Sequence, residues 1–386
     1  MLIETIFLSL TVFVTCVFLG LSYRVDRRLS AVGTENLGKL PKISIIIPAH
    51  NKAKLIKRCL NSVLNSGYRN KEIVVVDDCS TDGTDKILNK IKGIRVIHNK
   101  KRLGKSQSLN NAAKKATSAL ILFLDADTFI GNDTIGKLVS SYMYYHKKEG
   151  KIGFISPKYN IIKGKNFLAK LAYMEQAIHQ FLIKVQMNFD SILAIRGCCL
   201  LVNKKTFSSV GGFSNHILED GDFAGKMKKA GYKMKYEPRA SVETDEPETL
   251  NDFFRTRKRY GKGGFFCVID HTKHFIFSKQ AALSFYPYLS ISATFFLFSL
   301  INYGFIQTIL FSASFLGILG LVSTIGIFFC GATTAKDSLE KTSILALFLP
   351  YVFFYIPFAG IGYLRGVLSG INDRRKEHGK LKLKEW

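Results

Sequence analysis

Short apolar runs that end in polar tips set the pattern of the middle of the chain. Ile43-Ser44-Ile45-Ile46-Ile47, Glu72–Val76 and Leu120–Leu124 each read as a buried strand. The tips that follow are Pro48-Ala49-His50-Asn51, Asp77–Asp82 and Asp125-Ala126-Asp127. Between the first two runs, Leu55, Ile56, Leu60, Val63 and Leu64 recur at helical spacing and stop near Gly67. Strand, helix and strand with short loops predict a βαβ unit, whose crossover is right-handed. A further strand over Ile94–His98 and a helix over Ser106–Thr117 lead into the third run. Consecutive parallel strands would place all three tips on one edge of a mostly parallel sheet, where α/β proteins take their ligands.

The pattern continues with a strand over Ile152–Ser156 and an amphipathic helix over Phe167–Val185 carrying Glu175, His179 and Gln180. Leu193–Val202 is apolar but for Arg196 and runs on to Gly211-Gly212-Phe213. His216–Asp222 reads as the opening of a helix whose N-terminal dipole favours carboxylates. That helix continues to Ala230, stops at Gly231 and gives way to a strand over Tyr232–Glu237. Thr249 or Asn251 caps a further helix that bears the basic run Arg255–Lys262.

The ends follow another pattern. Met1–Ser22 has Glu4 as its one charged residue, and Leu283–Gly331 and Ile344–Leu364 have none. A bilayer crossing needs about 20 apolar residues, so these segments predict a multi-pass protein of the cell membrane. Met1–Ser22 lacks a basic flank ahead of its apolar stretch and a small-x-small cleavage site, which favours an anchor over a removed signal peptide. Arg24, Arg27 and Arg28 place the next stretch, and with it the α/β body, in the cytosol. The tail Arg365–Trp386, with seven Lys/Arg against three acids, also favours that side. Crossings at Met1–Ser22, Leu283–Asn302, Phe305–Gly331 and Ile344–Leu364 would leave that tail outside, so Leu283–Asn302 with its Pro287 is read as interfacial or re-entrant. The expected division is 1–22 anchor, 23–40 linker, 41–248 α/β body, 249–282 basic interfacial helices, 283–364 membrane region and 365–386 basic tail.

A net charge of +26 points to a polyanionic small substrate or to anionic lipids. Zinc-finger, helix-turn-helix and RNA-binding signatures are absent, which argues against nucleic acid. The 7 cysteines lack metal-ligand spacing, and the Cys198-Cys199 pair suits a reduced, cytosolic core.

Charge also gives the tips a chemistry. Asp125 and Asp127 at a strand end suit a hard divalent cation, which in turn favours phosphate oxygens. With Lys100, Lys101, Arg102 and Lys105 on the preceding loop and Asp77 and Asp78 on the neighbouring tip, the set predicts a nucleotide-diphosphate site. Asp77–Thr84 read alone is ordinary turn chemistry, and Glu219-Asp220 alone is an acidic helix start. Together they suggest a donor site and a separate acceptor site.

With these residues assembled, Ile43–Gly264 resembles the family 2 glycosyltransferases, in particular the membrane-integrated branch with poly-N-acetylglucosamine, hyaluronan, chitin and cellulose synthases. Pro48 and Asn51 look like the nucleotide-contacting PxxN, and Asp77–Thr84 is similar to the uridine-contacting DDxSxDGT. Gly104-Lys105 with Leu109-Asn110 resembles GKxxALN, and Asp125-Ala126-Asp127 resembles the DxD that holds Mg2+ or Mn2+. Glu219-Asp220 falls where the family has TED, with Leu218 in place of Thr. Thr256–Tyr260 stands where processive members carry QxxRW; Arg259 is kept, while Thr256 and Tyr260 replace Gln and Trp.

The resemblance implies a GT-A fold and an inverting transfer of a sugar from a nucleotide diphosphate, UDP-GlcNAc-like, to a hydroxyl acceptor at the cytosolic membrane face. It implies Asp127 as direct metal ligand, and Asp125 as a ligand or a contact to ribose or metal-bound water. Asp220 would be the base, Glu219 and Tyr260 acceptor contacts, and Arg259 and Lys105 would support the leaving diphosphate. The replaced QxxRW residues leave two acceptors open: a growing polysaccharide, or a polyprenyl-phosphate or other lipid-linked acceptor taking a single sugar. A non-catalytic basic membrane scaffold is the third reading, and oligomeric state and any export partner stay open.

Overall fold

The computed structural model describes residues 9, 13, 16, 17, 19–29, 40–161, 167–190, 192, 196–244, 249–275 and 356–377. One eight-stranded sheet forms the centre, in the spatial order β3-β2-β1-β4-β7-β6-β8-β5. Its first four neighbours, β3 (Arg95–His98), β2 (Lys71–Asp77), β1 (Ile43–Ala49) and β4 (Leu120–Leu124), all run parallel. Leu120–Leu124 is buried at every position, as a strand covered on both faces must be. Helix α2 (Ile56–Leu64) makes the crossover from β1 to β2 and buries Ile56, Cys59, Leu60 and Val63 at helical spacing.

Beyond β4 the sheet becomes mixed, yet it stays mostly parallel as expected: only β7 and β5 run against the other six strands. β7 (Cys199–Asn203) pairs antiparallel with both β4 and β6 (Ile152–Ile161). β6 and β8 (Lys233–Thr244) are parallel, and the short β5 (Thr128–Ile130) closes the edge antiparallel to β8. An apolar run buried on both faces reads the same in either direction, so Leu193–Val202 carried no sign of its reversal. The reversal has a consequence for the site. Since Leu124 pairs with Cys199, β7 begins where β4 ends, and the Asp125 amide donates to the Cys198 carbonyl at 2.9 Å.

Helix α8 (Glu219–Lys229) is fixed against that junction by rings. Phe223 stands 5.4 Å from Phe207 and 4.9 Å from Phe213, and both of those rings pack on Phe123 of β4. Phe123 precedes Asp125 by two positions, so the cluster lies on the side of the sheet toward which the site is built. Tilted ring pairs of this kind add about 0.5–1.5 kcal/mol each beyond the area they bury.

The flanks differ from the expected division. Residues 23–29, read as part of a linker, belong to a helix, α1 (residues 19–29), whose Val25 and Leu29 join the main core. Lys184 of α6 (Phe167–Met187) pairs with Asp26 of α1 at 2.8 Å. The basic run lies on α9 (Leu250–Asp270), capped by the Thr249 hydroxyl, which accepts from the Asp252 amide at 3.1 Å. α9 packs along α11 (Ile356–Glu377), where a β-carbon at Gly261 would strike the Tyr363 carbonyl and one at Gly366 the Lys258 carbonyl. Glycine is what lets these two backbones approach so closely.

Among the described residues no helix is long and apolar enough to cross a membrane. The segment at 283–302, read as interfacial or re-entrant, and the one at 305–331, expected to span, lie outside the described residues, as does most of 1–22. Of the third, residues 344–355 lie outside them too, while 356–364 open α11, which runs on through 365–377 of the expected tail.

Candidate active site

Because β2, β1 and β4 are parallel neighbours, their three polar tips share one edge. Asn51 takes a positive φ of 52°, a conformation that asparagine tolerates well. Its side-chain oxygen accepts from the Thr81 amide at 2.9 Å, and its own amide donates to Ser80 Oγ at 3.1 Å. Pro48, partly buried in β1 opposite Val76, sets the direction of this tip. Asp77 is buried; it accepts from the Ser80 amide at 3.2 Å and lies 3.0 Å from His98 Nδ1.

Asp78 is buried as well, and its carboxylate accepts from Asn99 Nδ2 and from the Leu103 and Gly104 amides, each at 2.8 Å. Burial by itself would raise its pKa, but these donors prevail and hold it below the usual carboxylate range. Asp77 and Asp78 therefore shape the loops at 79–84 and 99–104. In doing so they deliver Lys105, the first residue of α4 (Lys105–Lys115), to the site.

Lys105 is the junction of the charged cluster. Its ammonium lies 2.7 Å from Asp125 Oδ1 and 2.8 Å from Glu219 Oε1, tying the tip of β4 to the first residue of α8. Burial opposes its charge, yet the two carboxylates outweigh burial and leave its pKa well above the ordinary lysine value. For Asp125 the balance falls the other way: burial, with added repulsion from Asp127 and Glu219, raises its pKa despite Lys105. Burial also raises Glu219, but here Lys105 prevails, aided by the charge of Arg259, and the pKa is lowered. Asp127 pairs with Lys52 at 2.6 Å.

Asp220 follows Glu219 in the first turn of α8. Its Oδ2 accepts from the Gly197 amide at 2.7 Å and its Oδ1 from the Gly221 amide at 2.8 Å. Burial first, then the charge of Glu219, push its pKa up to about 6. Gly197 lies just before β7, so the antiparallel return of that strand is what brings the base candidate to the end of β4. A β-carbon on Gly197 would stand 2.5 Å from Asp220 Cβ, so the position needs glycine.

The α9 residues divide. Arg259 is exposed, 5.3 Å from the Tyr260 ring, and reaches the cluster through its charge on Glu219. Tyr260 is partly buried. The buried arginine of this run is Arg257, paired with Glu175 at 2.5 Å and 4.9 Å from the Phe253 ring. Sequence reasoning missed Lys52, Gly197 and the role of Arg257. A lysine directly after Asn51 and a lone glycine within an apolar run were the available signals for the first two.

The cluster suits a hard dication. Asp125, Asp127, Glu219 and Asp220 meet the ammonium groups of Lys52 and Lys105 and the charge of Arg259 on Glu219, so four carboxylates against three cationic groups leave an excess of one negative charge. Repulsion from Asp127 and Glu219 adds to burial in raising the pKa of Asp125. Among the described residues no three His, Cys, Asp or Glu side chains form a ready metal cage. An ion of the Mg2+ type takes one or two carboxylates and leaves other positions to phosphate and water.

Fold and cluster together define a class of protein. Residues 44–211 match the family described as Glycosyl transferase family 2, the family that the motifs led us to expect, and the fold is of the GT-A type. It is 26% identical over 269 residues to the poly-beta-1,6-N-acetyl-D-glucosamine synthase of Staphylococcus aureus strain COL, covering 68% of this chain and 64% of that one. To the enzyme of the same description from Staphylococcus epidermidis it is 29% identical over 227 residues, 58% of this chain and 54% of the relative. The match thus spans less than two thirds of these relatives' own length. In structure it is similar to the mannosyltransferase PcManGT of Pyrobaculum calidifontis, solved with GDP-Man and Mn2+. The TM-score is 0.57 at 17% identity, covering 95% of this chain and 99% of that one, a likeness of fold alone.

Proposed function

We propose that this chain transfers a sugar, with inversion, from a nucleotide diphosphate to an acceptor hydroxyl. The observation that carries the reading is the Lys105 ammonium held between Asp125 and Glu219, which joins the nucleotide-type strand tip and the base-bearing helix in one cluster. Asp220, with its pKa raised to about 6, is ionised at neutral pH and still basic enough to accept a proton there. As the acceptor oxygen bonds to the anomeric carbon, Asp220 takes its proton. The bond from that carbon to the diphosphate oxygen breaks on the opposite face, and the nucleoside diphosphate leaves. One displacement with one base inverts the centre.

Asp127 and Asp125 would hold Mg2+ or Mn2+, which supplies charge compensation for the leaving diphosphate. Lys105 and Arg259 would add positive charge on the same side. Relatives described as poly-beta-1,6-N-acetyl-D-glucosamine synthases favour UDP-GlcNAc as donor. Pro48, Asn51, Asp77 and Asp78 would then frame the nucleotide, with Tyr260 and Glu219 on the acceptor side. The apolar segments at both ends support a cell-membrane setting, with the catalytic domain in the cytosol and anionic lipids beside α9.

Asp220→Asn tests the assignment. Donor binding is expected to persist while turnover falls by about a hundredfold or more, the usual scale of a lost general base. Undiminished transfer by the variant would remove Asp220 from the role. It would favour a polyprenyl-phosphate acceptor, whose phosphate oxygen needs no deprotonation. Sizing the product as polymer or lipid-bound monosaccharide would complete the distinction.

A further inference from the structure

Lys52 belongs to none of the motifs that point to glycosyl transfer, yet its ammonium sits 2.6 Å from Asp127 Oδ2. Its backbone is fixed on both sides. The Lys52 amide donates to Thr84 Oγ1 at 2.9 Å, and its carbonyl accepts from the Leu55 and Ile56 amides at 3.0 and 2.9 Å. The next amide, that of Ala53, donates to Asp82 Oδ2 at 3.0 Å. The side chain is the part left to move: it is 35% exposed and makes one ion pair, whereas Lys105 is held between two acids. The Asp125 end of the acidic pair is thus locked by a bridging lysine, and the Asp127 end is closed by a lysine on a free stem.

We propose that Lys52 is a resident counter-ion of Asp127 that a divalent cation must displace, and that the donor's diphosphate then receives the displaced ammonium. The inference rests on the proposed reading of Asp127 as a metal ligand. Two cations compete for one carboxylate oxygen, so the metal alone binds weakly. A diphosphate arriving with the metal offers the lysine a new partner of the same sign as the one it gives up. Lys52 thereby couples metal entry to donor entry and acts as a positioning residue for both.

The test is Mn2+ binding to the full chain in detergent, read by electron paramagnetic resonance with and without UDP, for wild type, Lys52→Met and Lys52→Arg. Without UDP, Lys52→Met is expected to bind Mn2+ about two- to fivefold more tightly than wild type, the scale of a partly exposed ion pair removed from the competition. Lys52→Arg, which keeps the charge, is expected to stay near wild type. With UDP present the advantage of Lys52→Met shrinks or reverses, because the variant offers no ammonium to the diphosphate. The side chain is partly exposed, so folding should be preserved; matching thermal unfolding curves check this, and Lys52→Gln replaces Lys52→Met if the latter fails to fold.

Equal UDP-free affinities in wild type and the neutral variant, with UDP-dependent Mn2+ binding intact, would overturn the counter-ion role and leave the metal site standing. No Mn2+ binding by any of the proteins with UDP would overturn the metal reading of Asp127, and the role of Lys52 with it.

Discussion

Asp220 depends on a neighbour with no side chain. Gly197 donates its amide to the carboxylate, and a methyl group there would overlap Asp220 Cβ. Gly197→Ala is therefore expected to displace the proposed base: kcat falls by about tenfold or more while UDP affinity changes little, because the strand tips proposed to hold the nucleotide have not moved. Equal loss in both would mean that the substitution disturbs the whole β4–β7 edge. The second expectation concerns pH. A base works when deprotonated, so with its pKa raised to about 6, activity should fall as pH drops through that value. Glu219 is one of the groups that raise it, so Glu219→Gln should move the acid limb of the kcat/KM profile to lower pH. An unmoved or upward-moving limb would show that the titrating group is not Asp220.

Among the elements, α9 ties α8, which carries the proposed base, to the rest of the chain. Cys267 of α9 lies 3.8 Å from the Leu218 carbonyl just ahead of α8, and a β-carbon on Gly263 would strike Leu218. On its other side α9 meets α11 through Gly261, Gly362 and Gly366 and through the Lys262–Asp373 pair. Gly366→Val should force the two helices apart. Overpacking of this kind costs about 1–3 kcal/mol, which for a domain of this size lowers the unfolding midpoint by a few degrees in a thermal melt. An unchanged midpoint would mean that α9 and α11 do not pack as closely as the glycines allow. The sequence pointed to α9 through its cap residue Thr249 but gave no hint of its partner, since residues more than a hundred positions apart along the chain meet only after folding.

For the whole molecule, the apolar ends and the basic flanks of the domain set an expectation that cell fractionation can check. The full chain should sediment with membranes and stay there through a carbonate wash at high pH; release by that wash would mean attachment to the surface only. The sequence alone determined a good deal. Strand tips that each end in acids or amides are legible because a period-2 or fully apolar run shows where a strand stops, so spacing alone assigns Asn51, Asp77, Asp78, Asp125 and Asp127 to one edge. Motif order likewise pointed to Glu219 and Asp220.

Folding decided which of these groups meet and in what state of charge. The direction of β7 is invisible in an apolar run, yet it brings Gly197 to Asp220 and so turns an acidic helix start into a base candidate. Asp78 proved to be a loop anchor because backbone amides from Leu103 and Gly104 fill its carboxylate, and backbone donors leave no mark in a sequence. The partner choices of Lys52 and Lys105 arise in the same way. Spacing along the chain fixes which face or tip a residue occupies, but a pKa or an ion pair depends on burial and on distances across the fold, which exist only in three dimensions.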